Sequence, residues 1–279
     1  MGVTVVSIAP EYVLARAVLL DALDALGPHR DAVVLVGAQA VYLHAGEAEL
    51  ATAPMTTDAD LTVDVDRMAT TPELATALRG GGFEPGDQPG SWRGRSGVVV
   101  DLVVAPHQGG RRSPSARGGH IPSHAPNVVR IAVGLEPALV DHEERELAAL
   151  DAADLRRFHV KVAGPAALLV AKLIKIAERV ADEDAGQRSR VLGKDALDVL
   201  RLLRGVDLET FVSGFDRHAR DVHARPVMER ALDFLRAVGE GEHSRLPRLV
   251  AAASGGDRTV AASLVVLVRQ LLDAADRTR

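Results

Sequence analysis

The segment MTTDADLTVDVD, Met55 to Asp66, decides the fold of this chain. Read as a β-strand, it has apolar residues at the odd positions 59 to 65, and its even positions 58 to 66 are aspartate except for Thr62. The pattern predicts a strand with one buried face and one face of four carboxylates. Asp58 and Asp60 are two apart on that face, about 7 Å from each other, and can share a divalent cation. A solvated acidic face is also common on strands, so the segment alone leaves both interpretations open.

The composition predicts a folded protein with an aliphatic core. The 279 residues are 47% hydrophobic, 25% charged and only 3% aromatic, which suits one large or two ordinary domains. The absence of cysteine excludes disulfides, thiolate nucleophiles and zinc ribbons. No leader-like or membrane-spanning apolar run is seen, so we expect a soluble, cytoplasmic protein without a membrane partner. A net charge of −5 means that a polyanion would have to meet a local basic patch.

A strand followed directly by a glycine and a helix precedes the acidic segment. Residues Glu11–Leu26 predict an amphipathic helix, and AVVLVGAQAVYLHAG then predicts a short strand to Val36, a turn at Gly37 and a helix ending at Gly46. Backbone N–H groups at such a turn point outward and favour anions. A tight turn without ligand is the commoner explanation of one glycine in this position.

A second strand with a carboxylate follows in VVVDLVVAP, Val98 to Pro106. Its nearly unbroken valine run is typical of a strand covered on both faces. An unpaired ionised carboxylate there would cost several kcal/mol, so Asp101 needs a cation. A buried arginine would serve, and so would a metal shared with Asp58 and Asp60, because carboxylates from two neighbouring strands suit Mg²⁺.

Further elements are predicted from periodicity and turn residues. Between the two acidic strands we expect a helix at Thr71–Arg79 and a hairpin around Trp92; after them we expect a basic loop with Arg111, Arg112 and Arg117, strands at Asn127–Val133 and Phe158–Val162, and helices at Pro165–Val180, Arg190–Arg204 and three or four times after Leu208. Lys172 is flanked by aliphatic residues. A lysine that extends along a packed helix is the commoner explanation, and a functional charge is the alternative.

Five motifs occur in order within the stretch from about Val33 to Leu203: G-A-Q-A, T-T-D-A-D-L, V-D-L-V-V, A-K-L and K-D-A-L-D-V-L. Together they resemble the nucleotidyltransferase superfamily and, within it, the AbiE-type toxins of type IV toxin–antitoxin systems with their MenT relatives. The resemblance implies an α+β fold, with a nucleotidyltransferase-like catalytic domain built on a small mixed β-sheet at residues 1–162. An all-helical domain at residues 163–279 would complete the cleft for nucleotide and acceptor.

The resemblance also implies roles for individual residues. Gly37 and Ala38 match the phosphate-binding turn, Thr56 the hydroxyl residue before the metal pair, Asp58 and Asp60 that pair, Asp101 the third carboxylate, Lys172 a nucleotide-phosphate contact and Asp195 the aspartate of the K-D-x-x-D segment. Ala38 departs from the pattern, since serine or glycine is usual there and a hydroxyl contact to phosphate is lost. The long interval before Asp58 indicates an inserted loop around Glu47–Pro54.

The implied activity is Mg²⁺-dependent transfer of NMP from an NTP to RNA, with a tRNA 3′ end as the acceptor, by a toxin restrained by an antitoxin protein. Two Mg²⁺ on Asp58, Asp60 and Asp101 would align attacking and leaving oxygens, with Asp101 accepting the proton of the incoming hydroxyl. A small hydroxylated acceptor such as an aminoglycoside, or a protein side chain, is the second interpretation. A non-catalytic nucleotide-binding module is the third, and it has no need of three clustered carboxylates.

Overall fold

A computed structural model describes residues 8–46, 58–110, 117–186 and 193–277. The chain divides into two compact units. The first takes its described residues from Met1–Tyr42, Gly46–Ala132 and His142–Ala163, and the second from Leu43–Ala45, Val133–Asp141 and Gly164–Arg279. The first unit holds a mixed β-sheet with helices and the second is helical, which confirms the predicted α+β class.

One mixed sheet contains the strands of the first unit. In the described residues these are β1 (Val33–Val36), β2 (Asp58–Val63), β3 (Glu84–Pro85), β4 (Ser91–Arg93), β5 (Val99–Val104), β6 (Arg130–Ile131), β7 (His142–Ala148) and β8 (Arg157–Ala163). Their order is β3-β4-β5-β2-β1-β8-β7, and β6 pairs with β5 beyond the residues that β4 covers. Strand β2 runs parallel to β5 and antiparallel to β1, so the acidic strand lies in the middle of the sheet.

The alternation in β2 places its apolar residues as predicted, since Ala59, Leu61 and Val63 are all buried. The prediction of a four-carboxylate face was wrong. The strand ends at Val63, a 3₁₀ turn follows at Val65–Arg67, and the Asp64 carboxylate accepts a hydrogen bond of 3.0 Å from Gln108. Asp58 and Asp60 are therefore the aspartates that the strand itself carries.

Three helices belong to the sequence around these strands: α1 (Pro10–Leu26), α2 (Gly37–Ala45) and α3 (Leu74–Gly80). Helix α1 packs on β2, β5 and β8 and buries Leu19 and Leu23 completely. Its end at Gly27, where φ is 52°, agrees with the predicted stop signal. Helix α3 begins later than predicted because Glu73 is its N-cap and accepts a 2.8 Å hydrogen bond from the Thr76 N–H.

Strand β7 was not predicted from the sequence. Its residues HEERELA are mostly charged, and only Leu147 among them is buried. It is nevertheless paired antiparallel with β8 along its full length, at the edge of the sheet. Charged residues are typical of edge strands because they discourage pairing with other chains.

The second unit contains six α-helices in the described residues, and four of them begin at or after Leu208, where three or four were predicted. They are α4 (Pro165–Asp184), α5 (Gly193–Gly205), α6 (Leu208–Arg220), α7 (Ala224–Gly239), α8 (Arg245–Ala253) and α9 (Arg258–Arg277). Their apolar faces pack against one another around side chains such as Phe211, Leu232 and Val268. Across the described ranges, no helix combines the length and apolarity needed to cross a bilayer.

A buried carboxylate, Asp141, joins the start of α4 to α6. It accepts hydrogen bonds from the Ala167 N–H at 3.2 Å and from Arg217 Nη2 at 2.7 Å, and His218 Nε2 lies 3.1 Å from Oδ2. Burial would raise the pKa of Asp141, but the hydrogen bonds and charges of His218 and Arg217 hold it below its ordinary value. Asp141 is therefore a structural anion of the helical unit.

Candidate active site

Three carboxylates share one face of the central strands. Asp60 on β2 is the direct register partner of Asp101 on β5, and Asp58 lies two residues before Asp60. Because side chains alternate along a strand and paired residues share a face, the three point to the same side. All three are partly exposed. The register thus brings together the three residues that the sequence singled out.

Gly37 is in contact with this carboxylate face. It follows β1 directly, and Val36, the last residue of β1, is the register partner of Asp60. Its φ is +72°, and a Cβ at Gly37 would overlap Oδ2 of Asp60 and lie 2.8 Å from its Cγ. A side chain here would be strained by the backbone and blocked by the carboxylate. The turn that begins α2 can approach Asp60 this closely only because residue 37 is glycine.

Gln39 is bonded to the start of β2, and the sequence analysis did not predict this role. Its buried side chain donates to the Asp58 carbonyl oxygen at 3.3 Å and accepts from Arg16 Nε at 3.1 Å. Arg16 is itself buried and donates to the Tyr12 hydroxyl at 2.9 Å and to the Ala148 carbonyl at 3.1 Å. Glutamine within G-A-Q-A, with a lone arginine on the apolar face of α1, was the signal available in the sequence.

An open cleft of about 770 Å³ lies beside the carboxylates. Its lining includes Asp58 and Asp101 together with two cations, Arg117 and Arg130, and the small polar residue Ser91. Ser91 on β4 is the register partner of Asp101, so it lies on the same face. The cleft therefore offers carboxylates to a cation and guanidinium groups to an anion.

Asp101 has an arginine partner. Arg130 Nη2 lies 3.1 Å from Asp101 Oδ2, and both side chains are partly exposed, at 32% and 25%. Of the two cations that the sequence left open for this carboxylate, the described residues supply the arginine. The expectation of a strand covered on both faces is wrong at Asp101 itself, which lines the cleft.

The donor set suits a divalent cation only in part. Among the described residues, no group of three or more His, Asp or Glu side chains is arranged to hold a metal ion. Mg²⁺ in nucleotide-dependent enzymes, however, is usually held by one or two carboxylates, with waters and substrate phosphates as the other ligands. Asp58 and Asp60, adjacent on one face, meet that requirement, whereas Asp101 would first have to exchange its contact with Arg130.

Lys172 and Asp195 meet inside the helical unit. Lys172 Nζ donates to Asp195 Oδ1 at 3.0 Å and to Asp198 Oδ2 at 2.7 Å, and its side chain is only 7% exposed. Asp198 also accepts from Arg201 Nη1 at 2.8 Å. Burial alone would lower the pKa of Lys172, but the carboxylates of Asp198 and Asp195 raise it above its ordinary value. The lysine is therefore held as a cation between two carboxylates.

Two more cations on α4 share Asp195. Lys175 Nζ lies 3.2 Å from Oδ1 and Arg179 Nη1 lies 3.3 Å from Oδ2. Burial would raise the pKa of Asp195, but Lys172 and then Lys175 outweigh it and the pKa lies below its ordinary value. The Lys175 side chain is 48% exposed, so this cluster presents positive charge at the surface of its unit.

Some of the predicted residues cannot be placed in this geometry. Thr56, Arg111 and Arg112 lie outside the described residues, as does the proposed insertion at Glu47–Pro54. Arg117 is exposed and lines the cleft, and Ala38 is buried in the first turn of α2.

Comparison with known proteins gives one match. The model of a family described as "Nucleotidyltransferase" matches residues 15–213, well over half of the chain. No curated protein and no solved structure matches the chain.

Proposed function

The chain belongs to the nucleotidyltransferase family, and from this premise we propose that it transfers an NMP from an NTP to RNA, with a tRNA 3′ end as the acceptor. We further propose that it acts as a toxin whose partner is an antitoxin protein. The toxin role rests on the ordered motifs that resemble AbiE-type proteins. The transfer chemistry rests on the carboxylate face of Asp58, Asp60 and Asp101.

The observation that carries the proposal is the register of β2 and β5. It sets Asp60 opposite Asp101 beside a cleft that also contains Arg117 and Arg130. A binding module for a neutral ligand has no use for carboxylates and guanidinium groups in one cleft. A triphosphate with its divalent cation presents both charges and needs both kinds of partner.

In the proposed reaction an acceptor hydroxyl attacks the α-phosphorus, and pyrophosphate leaves in line with the attack. A bound Mg²⁺ would neutralise the phosphate oxygens and orient them. Asp58 and Asp60 would hold it. The Gly37 turn offers backbone N–H groups at the start of α2 to the outer phosphates, where a helix N-terminus favours negative charge. Asp101 is the candidate to take the proton of the hydroxyl.

Within the helical unit, we assign phosphate binding to the cluster around Asp195. The resemblance implies this role for Lys172, but its buried ammonium already donates to two carboxylates. Lys175 and Arg179 are its more exposed members. Lys172 then acts through Asp195, whose carboxylate it shares with both.

The test is incubation with each of the four α-³²P-labelled NTPs, Mg²⁺ and total RNA, followed by gel analysis. We expect label in RNA of tRNA size that ribonuclease removes and that carries an added 3′ nucleotide. Label in a protease-sensitive product would identify protein as the acceptor in place of RNA, and label in a small molecule would identify that molecule as the acceptor. If no labelled product forms with RNA, with aminoglycosides or with protein as the acceptor, the proposed transfer activity is contradicted.

A further inference from the structure

Arg130 lies where the site would otherwise need a cation. Arg130 is in β6 and is the register partner of Val103 of β5. Val103 lies two residues after Asp101, so Asp101, Val103 and Arg130 share one face of the sheet. This diagonal position brings Nη2 to 3.1 Å from Asp101 Oδ2. Arg130 and Asp101 line the same cleft as Asp58. The sequence did not single out Arg130, because its partner lies 29 residues earlier in the chain.

The contact has two consequences for ligands. A guanidinium group on Asp101 occupies an oxygen that a metal would use, and its positive charge opposes a divalent cation at Asp58 and Asp60. The same guanidinium, once released, can donate two parallel hydrogen bonds to a phosphate. Both ion-pair partners are partly exposed, so exchange with a ligand requires no opening of a packed core.

We propose that Arg130 couples metal binding to nucleotide binding. In the free protein it neutralises Asp101 and weakens cation binding. When an NTP enters the cleft, Arg130 transfers to a phosphate oxygen, and Asp101 becomes a third carboxylate for the cation that arrives with the nucleotide. The inference rests on the proposed function, and it makes Arg130 a nucleotide-binding residue that also controls access to Asp101.

The test measures binding without turnover. Free Mn²⁺ is followed by electron paramagnetic resonance with and without a non-hydrolysable NTP analogue, and analogue binding is followed by calorimetry. Arg130→Gln should bind Mn²⁺ about ten-fold more tightly than wild type without nucleotide, because the substitution removes a positive charge that opposes the cation and sits on an Asp101 oxygen. It should bind the analogue about ten-fold more weakly. A residue with only a structural role would weaken both.

Arg93→Gln is the matched control. Arg93 lies on β4 opposite Val99, on the same face of the sheet, and its contact with Asp87 is a long 3.8 Å. We expect both affinities within two-fold of wild type. Arg130→Lys keeps the charge and should retain weak Mn²⁺ binding, so it separates competition by charge from loss of the side chain.

Asp101→Asn gives an independent arm if Arg130→Gln does not fold. It frees the guanidinium, so metal-free analogue binding, measured in EDTA, should tighten several-fold. Suppose that wild type binds Mn²⁺ in the presence of nucleotide. The coupling is then overturned if folded Arg130→Gln binds Mn²⁺ no more tightly than wild type, or if Asp101→Asn leaves analogue binding unchanged. If wild type binds neither Mn²⁺ nor the analogue, and Asp58→Asn does not alter either result, the proposed function is refuted together with this inference.

Discussion

Replacing Lys172 by methionine should destabilise the helical unit strongly. The substitution keeps the unbranched apolar stem of the side chain and removes a buried ammonium that pairs with Asp195 and Asp198. Removing one partner of a buried ion pair costs about 3–5 kcal/mol, because a charge stays buried without compensation. Lys175 and Arg179 remain at Asp195 and Arg201 remains at Asp198, so we expect the lower limit, about 3 kcal/mol.

A loss of about 3 kcal/mol corresponds to a fall of about 6–12 °C in the melting temperature for a domain of this size. Circular dichroism at 222 nm measures it, since the unit is helical. Lys175→Met is the matched control: it lies on the same helix and shares Asp195, but its side chain is 48% exposed. Because about half of the Lys175 side chain is in solvent, its ion pair with Asp195 contributes about 1 kcal/mol or less, so that variant should melt within about 4 °C of wild type.

The contact between Lys172 and Asp195 provides a further check through a double-mutant cycle. Lys172→Met and Asp195→Asn should be non-additive by at least about 1 kcal/mol, since the two groups are in contact. If Lys172→Met melts no lower than Lys175→Met, the buried ion pairs do not stabilise the unit, and our reasoning about Lys172 is refuted. Nucleotide-analogue binding is then compared at a temperature where both variants are folded.

Three further outcomes are expected. Gly37→Ala should lose Mn²⁺ binding with nucleotide because its Cβ would displace Asp60, and it should cost about 1–2 kcal/mol in unfolding free energy for its positive φ. Gly46→Ala, at φ +81° and with no atom of the described residues within 4 Å of its Cβ, should carry only the backbone cost, and equal Mn²⁺ binding by the two variants would contradict this. The folded-state pKa of Asp195 is lowered, so its contribution to stability is present above its unfolded pKa of about 3.9 and is lost as the pH falls through the lower folded value; melting of Asp195→Asn should therefore depend less on pH between 5 and 3 than that of wild type, and equal slopes would be contrary. Arg117→Ser should raise KM for RNA by more than it raises KM for NTP, and it should lower the salt slope of RNA binding by about one; an unaltered slope would place the RNA elsewhere.

The fold could be predicted where local patterns decide it. The alternation of Asp58 to Val63, the glycine after β1 and the helical periods beyond Pro165 all follow from side chains near in sequence. Strand β7 could not be found this way, because its charges suit an edge and hide the strand pattern. The end of β2 at Val63 could not be predicted either, because Asp64 continues the alternating pattern of the strand. In the structure Asp64 instead accepts a hydrogen bond from Gln108 and leads into a turn.

The sequence predicted which carboxylates belong to the candidate site, but it did not predict which side chains they contact. The sequence required a cation for Asp101, but whether this is a metal or an arginine depends on β6 pairing with β5, a contact between distant segments. The sequence likewise placed Lys172 and Asp195 on separate helices. Their ion pair depends on how α4 packs against α5, which no local pattern specifies.

The most direct test of the central claim compares three aspartates of one segment in single-turnover transfer of labelled NMP. Asp58→Asn and Asp60→Asn remove the proposed cation ligands, and Asp64→Asn changes a carboxylate held by Gln108 beyond the end of β2. Circular dichroism checks that each variant is folded. We predict a loss of at least about 100-fold for the first two, since even partners of metal ligands cost 10–100-fold, and less than three-fold for Asp64→Asn. Wild-type rates in folded Asp58→Asn and Asp60→Asn would contradict the assignment of this carboxylate face as the active site.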